Sequence, residues 1–276
     1  MRVITISRLL GAYGDIIASI VARRMNLTLV GRDQLHEMAQ TCDPEFSDLC
    51  AMYETEHGPG LFERFFFDRP SYTSIFEALT FEVASRGNVV LVGRGAQIIL
   101  REVPGIARIR VVAPKPVRIR RVMERFGFAE DEAEHYTSKY DHDRENLVRS
   151  IFLSDPQDWS LYDLIVNTEH LTAGAAAELV VDAVEKMEQV SDREEVKEQL
   201  LNMAMAKRME ALIRKKLTPA VARSVQIRVE PGGVVKLSGR IPDQTDKLTA
   251  EELATGYPGV SKVESDLRVT QFPLPY

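Results

Sequence analysis

A chain of 276 residues with 45% hydrophobic and 28% charged residues is long enough for two domains and has the composition of a soluble globular protein. No apolar run approaches the roughly 20 residues that span a bilayer, and the start MRVITISRLLG has no extended apolar core of a signal peptide, so the cytoplasm is the expected setting. The net charge of −6 divides unevenly: residues 196–271 hold 13 basic and 9 acidic side chains, a balance of +4, which leaves −10 for the rest. A mildly basic tail on an acidic body suits separate partners, as it suits solvated surface charge. Cys42 and Cys50 are too few for a disulfide framework, and His36, His57, His135, His142 and His170 make no metal-ligand spacing with them, so no metal site is expected.

In chain order, Val3–Ile6 reads as a strand, an apolar helix follows to about Met25, and Leu27–Val30 forms a short second strand. Residues 33–85 read as mostly helical, broken by the turn signal His57-Gly58-Pro59-Gly60 and by Pro70. Asn88–Gly93 holds a continuous apolar run, the pattern of a strand buried on both faces. Ile106–Val112 is another strand, with helices over 116–126 and 129–151, a strand over Leu161–Val166 and a helix over 172–188. This alternation predicts a three-layer α/β domain with a mainly parallel sheet over residues 1–188. Residues 189–198, polar and charged, make a linker or the start of a new helix. Beyond them come a helix over 197–216, two strands about the turn Pro231-Gly232-Gly233, a helix near 244–256 and a last strand near 261–269.

Gly11 to Ala18, GAYGDIIA, lies between the first strand and its helix. Backbone N–H groups at such a helix start bind anions, because they lack partners and the helix dipole is positive there. Against the phosphate-loop pattern GxxxxGK[ST], however, Leu9 stands at the first glycine, Asp15 at the lysine and Ile16 at the magnesium-binding hydroxyl. On the pattern alone a plain strand-to-helix turn is preferred. Arg118, Arg121 and Arg125 share one helix face, either as a solvated basic stripe or as phosphate contacts. Arg94, between two glycines at a strand end, is placed for a phosphate or base, or for an internal salt bridge that fixes the turn.

The segments ITISR (4–8), GAYGDIIASIVARRM (11–25), VGRDQLHEMA (30–39), VVLVGRGAQIIL (89–100), residues 118–149 and YDLIVNTEHL (162–171) resemble, in this order, the cytidylate kinase-like family of P-loop nucleoside monophosphate kinases. The resemblance implies an α/β P-loop kinase-like fold, with ATP and Mg²⁺ as cofactors if the chain is active. It implies a nucleotide-phosphate loop at Gly11, Ala12, Tyr13, Gly14, Asp15 and Ile16, lid arginines at Arg118, Arg121 and Arg125, and ligand contacts from Arg94, Asp141 and Arg144. The family often has arginine where Asp15 stands, and Ala12 and Tyr13 replace a serine and a glycine. A carboxylate beside a triphosphate opposes it: adjacent unit charges interact by about 4 kcal/mol at 4 Å with an effective dielectric of 20. Asp15 turned outward as a first-turn helix residue would avoid that conflict.

Residues 225–269, with a glycine turn before VKLSG and PGVSKVESDLRV at the end, resemble a BON domain, placed within a small α+β unit at 199–276. That family implies a protein partner, or less readily phospholipid, and no catalytic residue. A nucleotide or other phosphorylated small molecule is the expected ligand of the first domain, and nucleic acid is not expected. Two functions stand beside each other. One is phosphoryl transfer from ATP to a nucleoside monophosphate, CMP favoured, impaired by the altered loop. The other is an inactive pseudokinase that senses a nucleotide or phospho-ligand and signals through the BON module.

Overall fold

The computed structural model describes residues 1–31, 33–35, 37–38, 70–187 and 192–270. The turn expected at residues 57–60, both cysteines, and His36 and His57 lie outside them. The chain divides into two compact units, Met1–Phe67 with Arg86–Arg193 and Asp68–Ser85 with Glu194–Tyr276.

The first unit is built on five parallel strands: β1 (Val3–Arg8), β2 (Thr28–Val30), β3 (Val89–Val92), β4 (Ile106–Val112) and β5 (Leu164–Asn167), in the order β2-β3-β1-β4-β5. β1 lies at the centre, with Val3 opposite both Val89 and Ile106 and Ile6 opposite both Val92 and Ile109. A strand flanked on both sides and covered on both faces needs an apolar run rather than an alternation, and Val3, Ile4, Thr5 and Ile6 are all buried. Helices α1 (Gly14–Arg24) and α6 (Ala173–Lys186) contribute to one core with this sheet. Ala18 and Ala22 of α1, with Ala176 and Ala177 of α6, join Ile4, Ile6, Ile109 and Val111 there, and their small side chains permit close approach. Each fully buried isoleucine contributes roughly 1.5–3 kcal/mol. Between β3 and β5 come α3 (Ala96–Ile99), α4 (Lys115–Phe126) and α5 (Glu130–Phe152).

Two expectations change. The strand expected over Leu161–Val166 begins at Leu164, because the preceding side chains are committed elsewhere. Trp159–Leu161 is a 3₁₀ turn capped by Asp158, whose carboxylate accepts from the Ser160 N–H; the buried Tyr162 hydroxyl donates to Pro156 O at 2.9 Å; and Asp163 accepts from the N–H and the guanidinium of Arg108. Second, Pro70 starts helix α2 (Pro70–Arg86), a place where proline's missing N–H costs nothing.

In the second unit α7 runs from Arg193 to Lys216, so the polar stretch after Asp192 is helix. Glu194 and Glu195 in its first turn and Arg214, Lys215 and Lys216 in its last complement the helix dipole. Salt bridges link α2 to α7 at Glu77–Lys207 (2.6 Å) and Glu82–Arg208 (2.5 Å). Helix α8 (Pro219–Ser224) leads into β6 (Val225–Glu230), which pairs antiparallel with β7 (Val234–Ile241). β8 (Lys262–Val269) is parallel to β7, so the chain must cross over between them, and it does so through α9 (Gln244–Thr255). Val235, Leu237, Ile241, Ala250, Ala254 and Leu267 form the core of this small sheet and helix.

Candidate functional site

The carboxyl end of β1 delivers the chain into a tight turn before α1. Leu9 N–H donates to Val111 O at 3.1 Å, Ala12 N–H to Leu9 O at 3.2 Å, and Ile17 N–H to Tyr13 O at 2.9 Å. The last of these bonds is the first of the α1 ladder, so the N–H groups of Gly14, Asp15 and Ile16 fall outside it. Gly11 and Tyr13 are both left-handed, at φ 76° and 63°, a conformation that costs a non-glycine residue about 1–2 kcal/mol. The loop thus keeps its backbone path with a tyrosine where glycine is the easier residue. Gly14 is required for a different reason: a Cβ there would lie 2.3 Å from Arg8 Cβ. Ala12 is fully buried and belongs to the core.

Arg118 and Arg121 are bound to this loop. Arg118, 5% exposed, donates from Nε to Ala113 O (3.0 Å) and from Nη1 to Leu10 O (3.1 Å), and its Nη2 pairs with Asp141 Oδ2 at 2.8 Å. Arg121 donates to Gly11 O (3.2 Å), Thr168 Oγ1 (3.0 Å) and Thr168 O (2.7 Å), and its guanidinium lies 3.8 Å from the centre of the Tyr13 ring. Thr168, fully buried, also approaches Ala12 O at 3.1 Å. Leu10, Gly11 and Ala12 therefore have their carbonyls drawn towards α4 and β5. Arg125 is exposed, with its guanidinium 5.1 Å from the Phe126 ring centre, and it borders the same depression as Gly11, Tyr13, Gly14, Asp15 and Ile16, about 430 Å³ in volume.

Asp15 borders this depression and is paired with Arg8. Its Oδ1 accepts from Arg8 Nε at 2.9 Å; the Arg8 side chain is 14% exposed and that of Asp15 58%. Such an exposed pair is worth at most about 1 kcal/mol, yet it decides where two charges point. Asp15 also sits in the first turn of α1, where the dipole favours it. The local balance is neutral, with no cation left over from this pair.

Arg94, Asp141 and Arg144 meet elsewhere, in a second cavity of about 130 Å³ that also takes in Arg8, Gln97, Arg110, Tyr140 and Glu145. It lies beyond the carboxyl ends of β1 and β3, where open α/β sheets bind ligands. Gly93, Arg94 and Gly95 are left-handed in succession, at φ 76°, 58° and 74°; they turn the chain from β3 into α3. Arg144 donates to Arg8 O at 3.0 Å and lies 4.5 Å from the Tyr140 ring centre. Tyr140 in turn belongs to an aromatic set with Tyr136, Phe128 and Phe126 that ties α4 to α5. Apart from the buried Ala12 and Arg118, the sequence-derived residues fall into two adjoining concavities that share Leu9, and Arg8 reaches from the wall of one to the acid of the other.

Arg8, Thr168, Arg110, Gln97 and Tyr140 were not singled out by the motifs. Four of them do stand inside the resembling segments: Arg8 as the last residue of ITISR, Gln97 within 89–100, Tyr140 within 118–149 and Thr168 within 162–171. Arg110 had a signal of its own, a charge within an otherwise apolar strand.

Comparison with known proteins adds the following. The model of the cytidylate kinase-like family matches residues 3–170, and that of the BON domain matches residues 209–271. A cytidylate kinase of Pyrobaculum islandicum is 29% identical over 189 residues, 67% of this chain and 93% of that enzyme. A cytidylate kinase of Staphylothermus marinus is 31% identical over 117 residues, which span 42% of this chain and 66% of that enzyme. Among solved structures, an uncharacterized protein from Eubacterium ventriosum superimposes with a TM-score of 0.50 at 20% identity, covering 68% of this chain and all of that one.

Proposed function

The chain belongs to the cytidylate kinase-like family, and from that premise we propose that its loop binds the phosphates of ATP while phosphoryl transfer to a nucleoside monophosphate, CMP first among them, is impaired. The single observation that carries this reading is the Arg8–Asp15 pair at 2.9 Å. Transfer of a phosphoryl group depends on positioning and on fixed positive charge. The start of α1 supplies N–H donors for a phosphate, and the pair removes the repulsion that a bare carboxylate would impose. It also engages the Arg8 guanidinium. Arg118 and Arg121 spend their donors on loop carbonyls and on Thr168 and Asp141, which leaves Arg125 as the exposed cation bordering the loop.

The residues at the loop do not fit a magnesium ion. Ile16 offers no side-chain oxygen, Asp15 is held by Arg8, and among the described residues no three His, Cys, Asp or Glu converge. Mg²⁺ arrives, in this reading, on the nucleotide.

The neighbouring cavity is the place for the acceptor, with Arg94 and Arg144 beside its charged end. The test is production of CDP from CMP, ATP and Mg²⁺ by the purified full chain, against a boiled control. Slow CDP formation that Asp15→Arg accelerates supports the reading, and no CDP from either protein refutes it as an enzyme. A second reading, a pseudokinase that reports a bound nucleotide through its BON domain, is favoured by the engagement of Arg118 and Arg121 with the loop. It predicts ATP binding without any turnover.

A further inference from the structure

We propose that β8 is an interaction edge whose occupant is β8 of a second copy of this chain, the two strands running antiparallel and joining their sheets into one. The order β6-β7-β8 leaves β8 at the sheet edge, with no strand beyond it among the described residues. Its register with β7 is unbroken from Lys262 to Val269, so no bulge interrupts it, and it contains no proline. Edges that stay single are commonly shortened, bulged or covered. This one is eight residues long and mostly exposed.

The backbone of β8 divides by parity. Thr270 N–H donates to Ile241 O at 2.9 Å, and in a strand the polar groups of alternate residues point to opposite sides. Even-numbered positions therefore bond to β7, and the N–H and C=O groups of Val263, Ser265, Leu267 and Val269 face the open edge. Leu267 agrees with this: its N–H donates to Ser265 Oγ at 3.4 Å, a long local bond for a group that a strand partner would satisfy.

The side chains select the occupant. Lys262, Glu264, Asp266 and Arg268 are exposed on one face, while Leu267 lies in the core on the other and Val263 packs there. A two-fold pairing centred on Asp266 sets Glu264 opposite Arg268 of the second copy, and Arg268 opposite its Glu264. It also sets Val263 opposite Val269, which covers a side chain 39% exposed in the single chain. Cross-strand pairs of these kinds stabilise a sheet, and like charges opposite one another destabilise it. Centring on Ser265 would oppose Lys262 to Arg268 and Glu264 to Asp266, all like charges. Centring on Leu267 sets Asp266 opposite Arg268 but engages only residues 265–269. In the Asp266 register the two Asp266 carboxylates meet at the axis, each already paired with Arg268 of its own chain at 3.2 Å. Glu264 is contacted by its own Lys262 at 2.7 Å and remains exposed to a second cation. This order of charges is self-complementary, which favours a second copy over the strand of an unrelated protein.

The test is sedimentation of the full chain over a range of concentrations, without nucleotide, so that its result does not depend on the loop at α1. Wild type is expected to dimerise as concentration rises. Glu264→Arg and Arg268→Glu each set like charges opposite one another and should weaken the dimer at least 10-fold. Both positions are exposed, and circular dichroism checks that the folds are intact. Mixed in equal amounts, the two variants restore opposite charges at both positions and should form a mixed dimer about as readily as wild type. Amide exchange gives a second readout: Val263, Ser265, Leu267 and Val269 should gain protection as concentration rises. A dimer that both single variants retain in full overturns the proposal, as does a mixture that fails to recover. A wild type that stays monomeric at every concentration also overturns it and leaves the edge to a strand of another protein.

Discussion

Arg8 and Asp15 face each other across seven residues of sequence, and their 2.9 Å contact links the last residue of the central strand to the first turn of the helix behind the loop. The acid in the first turn of α1 is thereby neutralised. Each consequence below follows from the side chains that hold this turn.

Arg118 and Arg125 should separate into two kinds. Arg118→Ala removes the partner of the half-buried Asp141 and two donors to backbone carbonyls, of Ala113 and Leu10, and it is expected to cost roughly 3 kcal/mol in urea unfolding. Arg125→Ala, at an exposed position, should leave the unfolding midpoint within error while it weakens ATP binding several-fold. Equal stability losses in the two variants would show that the division is wrong.

Thr168→Val keeps the shape of a fully buried side chain but deletes the hydroxyl between Arg121 and the loop. An unsatisfied buried partner costs about 1–3 kcal/mol. The expected outcome is a loss in that range by denaturant titration, with amide exchange that quickens more at Ala12 and Tyr13 than within α1. Unchanged exchange would mean that Thr168 does not hold the loop.

Gly14→Ala places a methyl group 2.3 Å from Arg8 Cβ. Overpacking of this kind costs about 1–3 kcal/mol, and the shift should pull Arg8 from Asp15. Thermal unfolding should show a clear loss, whereas alanine at the exposed Ser19 and Arg23 of α1 should be tolerated better.

Lys207 gives the second unit a pH signature. Burial pulls its pKa down, but Glu77 and Glu210 outweigh that and raise it above 10.5. A raised folded pKa means that its contribution to stability is fully present below the unfolded value and is lost as pH rises through the folded one. Unfolding of the wild type should therefore become easier above about pH 10.5, and Lys207→Met should blunt that alkaline loss. An identical alkaline profile in the variant would exclude Lys207 as its source.

Much of the fold was legible because apolar runs and helix signals state their burial directly. The run Val89–Val92 and the pattern Ile106–Val112 both became strands of the parallel sheet. The strand before the last helix of this unit was read three residues too long, since Tyr162 and Asp163 look extended in sequence but are fixed by side-chain bonds to Pro156 and Arg108. The site was legible as a place but not as a set of partnerships. Nothing in the spacing of Arg118 and Arg121 tells that their donors reach back 108 and 110 residues to the carbonyls of Leu10 and Gly11. Likewise the strand expected to end at Ile6 runs on to Arg8, and the pairing of Arg8 with Asp15 depends on a left-handed turn that Tyr13 conceals.

Calorimetric titration of ATP into wild type beside Asp15→Arg bears most directly on whether this loop is a phosphate site restrained by its acid. Asp15→Arg replaces the acid by a cation and releases Arg8 from its pair. Weak binding by wild type and binding at least 10-fold tighter by Asp15→Arg, about 1.4 kcal/mol, is the expected result. Equal affinity in the two proteins, or no binding by either, would contradict it.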